Sequence, residues 1–212
     1  MTLQNIKDIL IKPLSWTEWK DLSNFSIDRS EEQMIFKKKG FGKNWVDEIL
    51  PLADFIRLHY PPDTPYYFQY VDGNQPYDML VVDDQNNEIE RIEVTKVIDG
   101  HSAHKSMVDL IDNGITMLPP NNENASDMLK TILSKKQSKG DYVNCKLVIY
   151  LVEGELALYN PAGLDDLDNV KALNDMIKII QRDADNTFTG IFLVERSSPG
   201  GNPTKIVYAH YS

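Results

Sequence analysis

Two carboxylates interrupt the strand-like stretch YDMLVVDDQNNEIERIEVTK (residues 77–96): Asp78 heads MLVV, and Glu93 stands inside IEVT. A carboxylate set among apolar strand residues is costly unless something satisfies it. Side chains alternate along a strand, so Glu93 and Thr95 share one face while Ile92 and Val94 take the other. Glu93 then presents its oxygens beside whatever the neighbouring strand offers, and Asp78 is the candidate. Two carboxylates and the carbonyl of residue 94 form a partial ligand set for a hard divalent ion, to be completed by water and phosphate. Such an ion lowers the pKa of bound water and neutralises charge on a scissile phosphate. The plainer alternative gives Asp78 to turn amides and pairs Glu93 with Arg91.

The elements that must position these acids are legible in the surrounding periodicity. Trp45, Ile49, Leu52, Ala53 and Ile56 recur at helical spacing and predict a helix over 44–58, ended by Pro61 and Pro62 and open to a kink at Pro51. Three strands follow, about 66–71, 78–83 and 88–97, separated by the turn sequences DGN and DDQNN. The segment HSAHKSMVDLIDNG predicts a short helix stopped at Gly114; Ser126 or Asn124 caps another that runs to Lys139. NCKLVIYLVEG is the most apolar segment and reads as a central strand buried on both faces, which requires helices on both sides of the sheet. DDLDNVKALNDMIKIIQRD adds a helix with Val170, Leu173, Ile177 and Ile180 on one side, and FTGIFLVER with TKIVYAHY forms a closing strand pair. SWTE (15–18) and SEEQ (30–33) have the form of capping boxes, so the first 40 residues read as short helices.

The class is therefore α/β, a mixed central sheet with helices on both faces. Its core order is α-β-β-β-α-β, with N-terminal helices and a C-terminal helix and strand pair added. We read residues 1–212 as one domain: an N-terminal helical extension (1–43), a core (44–152) and a C-terminal part (153–212).

That core order, with an acid opening the second strand and Glu-x-Thr in the third, resembles the PD-(D/E)xK nuclease-like superfamily, the restriction-endonuclease-like fold, over residues 44–152. The resemblance implies a Mg²⁺-dependent hydrolase of DNA phosphodiesters, with Asp78 and Glu93 as metal ligands. The proline of the family's name stands one place out, at Pro76. The family's lysine, two residues after the acid, is replaced by Thr95, and Lys96 has the wrong parity without a bulge. Members of the superfamily sometimes supply that lysine from the following helix. Here Lys136 continues the stripe of Met128, Leu129, Ile132 and Leu133, which makes it the candidate to activate water or hold phosphate. An acid from the first helix is also common in the family; Glu48 has the position, and a solvated glutamate is its plainer reading. The superfamily also contains inactive relatives. The alternative is therefore a protein-binding or regulatory module on the same fold, motivated by Thr95.

Composition bounds the partners. The net charge is −10, and the first 60 residues are balanced with 9 basic and 9 acidic side chains, so the acid excess lies beyond them. Nucleic-acid contact must then be local. FKKKGFGK and KTILSKKQSK are the two basic islands. The expected partner is DNA if the chain is active and a protein if it is not, with a second copy of the chain as a further candidate. Cys145 reads as a small buried residue. No apolar run reaches the length of a membrane span, so a cytoplasmic protein is expected. His101 and His104 lack a third ligand nearby, DADNTF departs from the calcium-loop pattern, and SSPGGNP connects two strands; none is taken as a site. Trp16, Trp19 and Trp45 are expected in the core.

Overall fold

The computed structural model of the protein describes residues 2–23, 41–73, 75–97, 125–152, 166–196 and 204–211. Six strands, β1 (Tyr67–Tyr70), β2 (Met79–Val82), β3 (Glu88–Lys96), β4 (Cys145–Val152), β5 (Gly190–Arg196) and β6 (Lys205–Tyr211), form one mixed sheet in the order of the sequence. Helices flank it: α1 (Leu3–Ile9), α2 (Trp16–Ser23), α3 (Phe41–Asn44), α4 (Leu50–His59), α5 (Ala125–Gln137) and α6 (Asp166–Asp183). The α/β class and the expected strands therefore stand, with β2 and β3 each within one residue of their expected limits. Among the described residues no helix is long and apolar enough to cross a membrane. The His101–His104 segment, SEEQ, PPNNEN and SSPGGNP lie outside the described residues.

The chain packs as two compact units, Met1–Thr95 with Asn144–Val148, and Lys96–Val143 with Ile149–Ser212. The expected core, 44–152, falls across both.

In the first unit, β1, β2 and β3 are antiparallel neighbours, with Phe68 opposite Val81, Tyr70 opposite Met79, and Met79 opposite Ile92. Phe68, Tyr70, Met79, Val81, Ile92 and Val94 are all buried. Their alternates Gln69, Leu80, Arg91, Glu93 and Thr95 are partly open and Tyr67 is exposed, so one sheet face is sealed and the other is not. A shift of register between Val81 and Val82 inserts Ile89 as an extra residue in β3. Leu14 forms an isolated antiparallel bridge with Phe68 and so covers the outer edge of β1 at that residue.

The predicted helix over 44–58 is present in altered form. The five residues Trp45–Ile49 make a π-helical turn between α3 and α4, and the Leu50 N–H donates to the Trp45 carbonyl. Proline supplies the reason. Pro51 has no N–H to continue the α pattern, and the extra residue of the π turn absorbs the missing bond where a kink was expected. α4 ends at His59, with Tyr60 as its extended C-cap, before Pro61 and Pro62. The SWTE capping box forms: the Ser15 N–H and Oγ–H both donate to Glu18 Oε2 at 2.8 and 2.9 Å, and the Glu18 N–H donates to Ser15 Oγ at 3.4 Å. Trp19 and Trp45 are core residues, and the half-buried Trp16 donates from Nε1 to the Tyr60 carbonyl at 3.1 Å.

In the second unit, Met128, Leu129 and Leu133 of α5 are buried. α6 buries Met176, Ile179 and Ile180; Leu173 and Ile177 are only half-buried, so the buried stripe is rotated from the expected one. β5 and β6 form the expected antiparallel pair, Ile191 opposite His210. β4, whose residues are divided between the two units at Val148 and Ile149, buries Leu147 through Leu151 without a break, as a strand covered on both faces must, and Cys145 at its head is buried.

Ile92 is fully buried at the centre of the sealed face. Ile92→Ala should cost about 2–5 kcal/mol in urea unfolding, and Thr95→Ala on the open face less than about 1 kcal/mol.

Candidate functional site

Asp78 sits at a kink. In a regular antiparallel strand the N–H and C=O of one residue point to the same neighbour. At Asp78 the N–H donates to Ile92 of β3 and the C=O accepts from the Val71 N–H after β1, both at 2.9 Å. The main chain is therefore rotated at this residue. Met79 and Asp78 both meet β3 at Ile92, in the manner of a β-bulge, which re-aims a side chain at a strand end. The carboxylate uses that new direction: Asp78 Oδ2 accepts the Val94 N–H at 2.7 Å.

That amide belongs to the peptide between Glu93 and Val94. Covalent geometry then holds Asp78 Oδ2 within about 5.5 Å of the Glu93 Cα. The two acids expected to be neighbours are brought together, by a side-chain hydrogen bond to the main chain. Glu93 is half-exposed on the open face with Arg91 and Thr95. Arg91 is not its main partner, because the guanidinium makes a bidentate pair with Glu88, Nε to Oε1 at 2.8 Å and Nη2 to Oε2 at 3.2 Å.

Lys136 is half-buried on α5, beyond Leu133 on the buried stripe, whereas Lys135 and Lys139 are exposed, as the sequence pattern implied. It belongs to the second compact unit, and Asp78, Glu93 and Thr95 belong to the first. Lys96 has the parity of the buried Ile92 and Val94, opposite to Glu93.

Glu48 is not simply solvated. It lies in the π turn, and its Oε2 accepts the Tyr70 hydroxyl at 2.5 Å. Asn44 Nδ2 donates to the same hydroxyl at 2.9 Å and to Asp72 Oδ1 at 3.2 Å. Burial, reinforced by the carboxylate of Glu48, pushes the Tyr70 phenol well above its usual range. The glutamate thus fastens the π turn to β1.

A second polar cluster escaped the sequence reading. Lys146 of β4 pairs with Glu90 of β3 at 2.6 Å, and their side chains are only 13 % and 14 % exposed. Glu90 Oε1 accepts the Tyr60 hydroxyl. Lys146 Nζ lies 3.0 Å from His59 Nε2 and 5.3 Å from the centre of the Tyr60 ring. The His59 ring stacks on Phe55 at 4.8 Å. Burial, then the Lys146 charge, lower the His59 pKa to about 4, with Glu90 opposing. A neutral imidazole accepting from the ammonium fits that shift. Within the sequence, Lys146 looks like a break in an apolar strand and Glu90 like any exposed acid; only the 56-residue separation closed by the sheet joins them. Asn144, at φ 52°, adds to this join: its carbonyl accepts the Arg91 N–H at 2.9 Å, and its side-chain amide donates to the Ile89 carbonyl.

Among the described residues no group of three or more His, Cys, Asp and Glu stands together as a metal-holding cluster. The Asp78 and Glu93 pair offers two hard oxygen donors. That suits Mg²⁺, which keeps several waters and is often held by one or two carboxylates and substrate phosphate.

Fold and site together define an α/β protein whose sheet has a half-open face carrying a bulge-aimed aspartate beside a strand glutamate. No protein-family model matches the chain, and neither a curated protein nor a solved structure matches it.

Two measurements probe the buried cluster. Lys146→Met should cost about 3–5 kcal/mol, because it leaves the Glu90 carboxylate buried without its cation. His59 binds its proton more weakly in the folded chain than in the unfolded chain, so its stabilising effect is complete above pH 6.5 and is lost as pH falls toward 4. Discounted for solvent screening, the effect is about 1–2 kcal/mol. Urea unfolding at pH 7 and pH 5 should show a smaller pH loss in His59→Gln, which cannot titrate; an unchanged loss would assign the pH dependence to other groups.

Proposed function

We propose that the protein is a metal-dependent nuclease acting on DNA, with Asp78 and Glu93 as the ligands of Mg²⁺ or Mn²⁺. The observation that carries this reading is the hydrogen bond from the Val94 N–H to Asp78 Oδ2, which places one acid against the peptide of the other. The sheet written in sequence order, with helices flanking it, supports the same reading, since it agrees with the α-β-β-β-α-β core expected from the resemblance. Bound between the two acids, the cation would acidify water and offset charge on the phosphate.

The chain's own residues have separable parts in this scheme. The Val94 amide fixes the direction of the Asp78 carboxylate, so that acid is oriented before substrate arrives, which is the condition for a site that need not reorganise. Glu93 is half-exposed on the face of β3 that also carries Arg91 and Thr95. The lysine of the scheme comes from the resemblance and the sequence pattern alone, in which Thr95 occupies the family position and Lys136 follows the apolar stripe of its helix.

A second reading, an inactive protein-binding module, draws on Thr95 and on the structural use of Asp78. An aspartate that satisfies a main-chain amide at 2.7 Å has a reason to be present without any metal. Titration calorimetry with Mn²⁺ separates the two: binding that Glu93→Gln abolishes favours the nuclease, and no binding by the wild type favours the module.

With plasmid DNA and Mg²⁺ or Mn²⁺ the wild type should cut, and Asp78→Asn and Glu93→Gln should each reduce the rate by at least about a hundredfold, as removal of a metal ligand does. Equal cutting by both variants and wild type, or none by the wild type, overturns the nuclease reading. Lys136→Gln should slow cutting by about ten- to a hundredfold. Thr95→Lys added to Lys136→Gln should recover part of the rate if the two positions serve one purpose.

A further inference from the structure

The open face holds a second built feature next to the acids. Arg91 stands two residues before Glu93 on the same side of β3, about 6.6 Å along the strand. Its guanidinium is fixed on two sides. The carboxylate of Glu88 holds it through Nε and Nη2, and the ring of Tyr77 lies beneath it with 4.8 Å between guanidinium carbon and ring centre.

Neither contact is an ordinary consequence of strand geometry. Residues three apart on a regular strand face opposite ways, and Glu88 reaches Arg91 because the extra residue Ile89 returns it to the same side. Tyr77 precedes Asp78, so the kink that aims the aspartate also governs the approach of the ring to Arg91. An arginine has five N–H donors, and the Glu88 pair uses Nε and one on Nη2. The side chain remains 26 % exposed.

We propose that Arg91 is a phosphate clamp: it binds the sugar-phosphate backbone of a nucleic acid beside the Asp78 and Glu93 pair, with Glu88 and Tyr77 holding it in place. The proposal rests on the nuclease reading for the identity of the substrate. A guanidinium is suited to the task because its planar fork matches two phosphate oxygens, and one that is already immobilised loses little entropy on binding. Paired with Glu88 it adds no net positive charge, so its contribution is directed hydrogen bonding to phosphate oxygens from the donors that Glu88 does not use. Its place on the strand assigns it a phosphate neighbouring the one at the acids.

The test is fluorescence anisotropy of a labelled DNA duplex in Ca²⁺ at several salt concentrations, with cutting in Mg²⁺ measured in parallel. Arg91→Gln should weaken binding by roughly tenfold, as loss of a charged hydrogen bond does, and make the salt dependence shallower by about one unit of slope. Arg57→Gln removes the same charge from α4 and is the control; it should change neither. Arg91→Lys keeps the charge without the fork, and should restore the slope while recovering only part of the affinity. It also decides the matter should melting curves show that Arg91→Gln does not fold: a folded Arg91→Lys with wild-type affinity overturns the clamp.

Arg91→Gln that binds like Arg57→Gln also overturns it, and so does a wild type that binds no DNA. A wild type that binds with the Arg91-dependent slope and never cuts leaves the clamp standing and removes the nuclease reading.

Discussion

Strand β3 has to satisfy two surfaces with one period. Because side chains alternate, the residues that bury Ile92 and Val94 must turn Arg91, Glu93 and Thr95 the other way, and a slip of one residue would exchange the two sets. Everything chemical in the first unit depends on that register being fixed. The sealed face fixes it from one side, since Phe68, Tyr70, Met79, Val81, Ile92 and Val94 interlock across three strands. Moving β3 by one place would put Glu93 into that interior and Ile92 into water.

The buried polar cluster fixes the register from the other neighbour. Glu90 and Lys146 form one link between β3 and β4, and Asn144 bonds β3 at both Ile89 and Arg91. A hydrophobic pair would tolerate sliding, because apolar contact is not directional. An ion pair with Tyr60 and His59 as further partners has few alternative arrangements, so its value is in specificity more than in net stability. The cluster lies on the side of β3 opposite Arg91 and Glu93, and supports their strand without touching the chemistry they are proposed to carry.

Much of this was legible in the sequence where local rules decide. The capping box of Ser15 and Glu18, the strand limits and the buried run of β4 follow from spacing alone. Asp78 and Glu93 were legible as neighbours, but the means was not. Alternation suggested side chains meeting across two strands, whereas a rotated main chain sends the aspartate to the Val94 amide. Bulges leave little trace in residue types, so the roles of Ile89 and Asp78 as irregular positions were hidden, and with them the Glu88 to Arg91 pair. Glu90 with Lys146, and Glu48 with Tyr70, were hidden for a different reason: each joins residues distant in the chain, and no local pattern announces a long-range partner.

Asp78 has a consequence for how such a chain would age. Its carboxylate completes the hydrogen bonding of β3 at Val94, so a lineage that ceased to use it for chemistry would still be under pressure to keep an acceptor there. An aspartate at this position records the geometry of the sheet whether or not activity survives. Thr95, half-exposed on the other face of the same strand, completes no main-chain bond of this kind and can change with far less effect on the sheet.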